Sequence, residues 1–130
     1  VDGAEFQPDI EIQGFTYSDR PDQLAKLGNA IDNAGGWVLE RRPTSAASID
    51  IFLEVQACAL PEVYAAFLGA GIELTRDSHR ALAERCNCSQ HLRSSGLASI
   101  LSIRMELHFL TGAAPPLDLA RLLQLGLASA

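Results

Sequence analysis

Ile10-Glu11-Ile12-Gln13-Gly14-Phe15-Thr16-Tyr17-Ser18-Asp19-Arg20-Pro21 is the stretch on which the reading of this chain turns. Ile10 and Ile12 alternate with Glu11 and Gln13, the period-two pattern of a half-buried strand, so a first strand is predicted to end near Tyr17. Ser18 or Asp19 then stands where a side-chain oxygen accepts a hydrogen bond from an early helix amide. Pro21 suits the first helical turn, where its missing N–H costs nothing. Leu24, Leu27, Ile31 and Ala34 share one helix face, and Gly35-Gly36 ends the run. The joint is a strand, an acidic-basic-proline turn and an amphipathic helix.

Working outward, Trp37 to Arg42 reads as a second strand, Pro43 to Ala47 as its connection and Ser48 to Gln56 as a third strand. On the third strand Ile49, Ile51, Leu53 and Val55 share one face, while Asp50, Phe52, Glu54 and Gln56 share the other. The short connection predicts an antiparallel hairpin. Pro61 opens a second helix with Val63, Tyr64, Phe67 and Leu68 on one face, and Gly69 and Gly71 interrupt it. A further helical piece from about Asp77 to Cys86 follows Thr75, and a polar loop, Asn87 to Gly96, leads to the clearest strand in the chain. Between Leu101 and Phe109 the odd positions are Leu, Ile, Met, Leu and Phe; the even ones are Ser102, Arg104, Glu106 and His108. Gly112 to Pro116 breaks the chain, and Leu117 to Leu127 is a leucine-rich helical pattern.

Strand, helix, strand, strand, helix, strand is the order of a ferredoxin-like α+β sandwich: a βαββαβ chain with both helices on one face of a four-stranded antiparallel sheet. The expectation is one domain over residues 1–130, with a core of about 10–110 and an added C-terminal helix at about 115–128. The open sheet face would hold Phe15, Tyr17, Phe52, Arg104, Glu106 and His108. Such a mixed face suits solvent or a homodimer partner.

Length and composition narrow the function. A chain of 130 residues and 13.9 kDa can bury a core without disulfide staples. A formal net charge of −6 and a pI near 4.9, with basic residues scattered apart from Arg41-Arg42, argue against nucleic acid. Three cysteines do not make a secreted disulfide framework, which implies free thiols and a cytoplasmic setting. No run approaches the length of a membrane span, so no membrane role is expected. Val1 stands where an initiator Met would, so the chain is open to being a trimmed fragment.

The turn and its surroundings also resemble the ACT domain, a small module that senses amino acids or holds subunits together. The resemblance rests on Asp19-Arg20-Pro21-Asp22-Gln23-Leu24-Ala25 and on Ala34-Gly35-Gly36-Trp37-Val38, and it covers about Ile10 to Gln56. The later half agrees in element order alone. Asp22 stands where the family has glycine, and its carboxylate would crowd and repel an amino acid carboxylate. The resemblance implies a regulatory, non-catalytic module with a small-molecule effector, an amino acid by family habit, near Ser18, Asp19, Arg20, Asp22 and Gln23 at a homodimer interface. Read without the family, the same loop can receive an anion on helix amides or simply cap and charge the helix, the commoner use of such residues.

A second constellation is His79, Cys86, Cys88 and His91. Thiolate and imidazole are the ligands zinc prefers, and His79 and Cys86 are seven residues apart, so they share a helix face. Cys-x-Cys is tighter than ordinary zinc knuckles, and buried thiols commonly need no metal. The alternatives are therefore a metal-binding protein or small metal-dependent enzyme using these four residues, and a structural interaction domain with no ligand. Catalysis finds little else: Ser94-Ser95-Gly96 lacks a nucleophile elbow, no phosphate loop is present, and His108 sits on an alternating polar strand face. The leucines of 117–127 must pack on something, within the subunit or across a dimer.

Overall fold

The computed structural model describes residues 7–91 and 99–110, with side chains 88–91 left out. In chain order the elements are β1 (Ile10–Thr16), α1 (Arg20–Ala34), β2 (Gly36–Ser45), β3 (Ser48–Gln56), α2 (Leu60–Gly69), β4 (Glu73–Leu74), α3 (Arg76–His91) and β5 (Ile100–Phe109), with one 3-10 turn at Ala57–Ala59. The fold is α+β. None of these helices is long and apolar enough to cross a membrane. The expected C-terminal helix at about 115–128 lies outside the described residues.

The sheet has five strands in the order β2-β3-β5-β1-β4. It is mixed: β1 and β5 run parallel, whereas β2/β3, β3/β5 and β1/β4 pair antiparallel. This corrects the expected four-stranded antiparallel sheet. The chain between β3 and β5 holds two helices and the two-residue strand β4, which the sequence pattern hides. Following directions around the sheet, β4 runs like β3 and occupies the outer side of β1, while the strand from Leu101 becomes a fifth and central one. The crossovers β1-α1-β2 and β3-α2-β4 each join strands of one direction with two strands between them. Without β5 there would be one, the split βαβ arrangement. Helix α3 also continues through Asn87 to His91, where a polar loop was expected.

The strand alternation sorts the layers. Ile10 and Ile12 of β1, Ile49, Ile51, Leu53 and Val55 of β3, and Leu101, Ile103, Met105 and Leu107 of β5 form one buried core with Leu27 and Ile31 of α1, Val63 and Phe67 of α2, and Leu82 of α3. All three helices therefore lie against one face. At Gly14 the same face has no room for a side chain, since a Cβ would sit 2.6 Å from Ile72 Cγ2. Helix α1 ends at Gly35, whose φ of 102° is the left-handed conformation that glycine adopts without penalty. Asp19 occupies the N-cap position, but its side chain makes no capping hydrogen bond, unlike the expectation.

Strand β2 is an edge. Register shifts between Val38 and Glu40 and between Pro43 and Ser45, together with Pro43 and the charged Glu40, Arg41 and Arg42, interrupt its outer rim.

Candidate functional site

The face away from the helices is a lattice of cross-strand rows. One row reads Glu11 (β1), Arg104 (β5), Phe52 (β3) and Glu40 (β2); the next reads Gln13, Glu106, Asp50 and Arg42. The third contains Phe15 and His108, whose rings stack at 5.2 Å. Arg104 is the hub. Its Nη1 donates to Glu11 Oε1 at 3.2 Å and its Nη2 to Asp50 Oδ2 at 3.1 Å. Partial burial works against the charged guanidinium, but the Asp50 hydrogen bond and the charges of Asp50, Glu11 and Glu106 outweigh it. Arg104 is thereby raised above its ordinary range and is a permanent cation.

Asp50 is buried at 7% exposure, and its Oδ1 has no hydrogen-bond partner among the described residues. The carboxylate is tolerated because Oδ2 is paired with a guanidinium, the arrangement a buried charge requires. Arg42 stacks 5.0 Å over the Phe52 ring beside it, and its guanidinium pairs with Glu40 at 2.9 Å. Gln13 Nε2 donates to Glu106 Oε1 at 3.1 Å.

Where this face turns the corner of β1, a half-open groove of about 380 Å³ lies between the strand and the start of α3. Glu11, Ile12, Gln13, Thr75, Asp77, Ser78 and Arg104 line it. The corner exists because β4 covers only Gly14 and Phe15 of β1. Beyond it the chain turns into α3, pinned by Thr75 N–H to Gln13 O at 3.2 Å and by Gln13 N–H to Ser78 Oγ at 2.7 Å. Thr75 also accepts the Ser78 amide at 3.2 Å, a helix-capping bond. The volume falls at the small end of the range of ligand pockets, roughly 300–1,000 Å³.

Two of the residues expected at the α1 loop, Arg20 and Gln23, make side-chain bonds within the fold. Gln23 is fully buried, accepting from Thr16 Oγ1 at 2.5 Å and donating to Ala70 O at 3.0 Å, which ties β1 and α1 to the end of α2. Arg20 Nη2 donates to the carbonyls of Ser45 and Ala46 at 3.0 and 2.9 Å, and its guanidinium lies 5.0 Å over the Phe109 ring, clamping the β2-β3 turn. Ser18 N–H donates to Thr16 Oγ1 at 3.1 Å. Asp19 and Asp22 are exposed. Arg20 and Gln23 thus carry structural work at the site where a ligand was expected.

Of the Cys/His constellation, His79 Nδ1 and Tyr64 Oη are 2.7 Å apart, joining α3 to α2. Cys86 packs against the core, and burial, then the charge of Glu62, pushes its thiol above the usual range. The side chains of Cys88 and His91 lie outside the described residues. No group of three or more His, Cys, Asp or Glu side chains able to hold a metal ion occurs among the described residues.

Sequence reading put Arg104, Glu106 and His108 on the open face and Asp50 on the outer face of β3, but it did not find the groove. Thr75 three residues before Ser78 was its one local sign, since a hydroxyl three positions ahead of a helical residue is a cap pattern. No protein-family model, curated protein or solved structure matches the chain.

Proposed function

We propose that this chain is a non-catalytic, ACT-like module of the cytoplasm that binds a small molecule and forms a homodimer. The observation that supports ligand binding is the polar groove at the β1 corner, with Glu11 and Arg104 on its sheet side and Asp77 and Ser78 on its helix side. Its lining joins β1, β5 and the start of α3, which are far apart in sequence, so a bound molecule would brace α3 against the sheet. That coupling is what a regulatory module needs, because occupancy then changes the stability of a helix rather than of a surface loop. The β1 corner takes over the role that the family resemblance gives to the Asp19 to Gln23 loop, where Arg20 and Gln23 are engaged within the fold.

Native mass spectrometry with elemental analysis on one untagged, chelator-free preparation tests the reading. A metal-free dimer carrying a small molecule is the expected result. Stoichiometric zinc, lost in Cys88→Ser, would replace the reading with the Cys/His metal protein, and a bare dimer would leave an interaction domain without ligand.

A further inference from the structure

We draw no further inference here: the strongest candidate, the cluster of Glu11, Asp50 and Glu106 around Arg104 on the open sheet face, already has its cation in that guanidinium, and the unpartnered Asp50 Oδ1 is itself covered, so nothing among the described residues points to a ligand there.

Discussion

Replacing Gln23 by Met tests whether the residue at the expected ligand loop belongs to the fold. Methionine has the same unbranched length, so the volume is kept and little cavity forms. What is lost is polar: the Thr16 hydroxyl, in a residue 1% exposed, loses its acceptor, and the carbonyl of Ala70, in a residue 2% exposed, loses its donor. A buried group left unpaired costs about 1–3 kcal/mol, so two such groups predict a loss of about 2–5 kcal/mol once some relaxation is allowed. That is a large share of the stability of a domain this size, about 5–15 kcal/mol. Urea unfolding followed by fluorescence of Trp37 measures it, with an unchanged m-value as the sign that the unfolded reference is the same. Thr16→Val alone and with Gln23→Met completes a cycle whose coupling is expected to exceed about 0.5 kcal/mol. A single-variant loss below about 1 kcal/mol would refute the reasoning, because the two groups would then have other partners or water.

Arg20→Ala is expected to cost about 1–2 kcal/mol and to speed amide exchange in the β2-β3 turn, and Arg20→Lys to recover less than half, since a single ammonium cannot both span the Ser45 and Ala46 carbonyls and stack on Phe109. Equal stability of the Lys variant and the parent would rule out the clamp. Gly35→Ala forces a side chain into φ 102°, with its Cβ 3.2 Å from that of Ala59, and should lower stability by about 1–2 kcal/mol in thermal or urea unfolding. Alkylation by iodoacetamide, read by peptide mass at neutral pH, should label exposed Cys58 well ahead of Cys86, whose thiol is half-buried and held protonated by burial and Glu62. The raised Cys86 thiol also has a stability sign. The unfolded chain loses this proton at lower pH than the folded one, so the contribution is present through neutral pH and declines as alkaline pH passes the unfolded value.

Most individual elements were legible because their burial has a simple period. β1 and β5 alternate strictly, β3 carries Ile49, Ile51, Leu53 and Val55 on one face although Ser48, Asp50 and Phe52 on the other are buried too, and α1 carries its apolar residues at helical spacing and ends on glycine. The topology was not legible, for a specific reason. Glu73-Leu74 is too short to show a period, and it is held by β1 through Gly14 and Phe15 rather than by any pattern of its own. Once β4 is missed, the count of chain reversals is wrong by one, and β5 is assigned the wrong direction and place. The contacts of the candidate site were hidden for a related reason. Asp19-Arg20-Pro21 resembles a ligand loop locally, but what Arg20 and Gln23 bond to lies 25 and 47 residues away. The groove joins Glu11 to Asp77 and Arg104, and no local window contains all three.

The central place of β5 sets the order in which this protein can become itself. β1 pairs only with β4 and β5, and β3 only with β2 and β5, so among the described strands the last one made is the seam between two halves of the sheet. Its partner Ile10 is 93 residues upstream of Ile103, and a contact that distant is slow to close. During synthesis the β2-β3 hairpin and the β1 strand must wait with a slot between them, each showing an unpaired rim to the other and to any neighbouring chain. A chain stopped before Ile100 lacks the seam rather than a terminal appendage, and its exposed rims would make it an aggregation hazard.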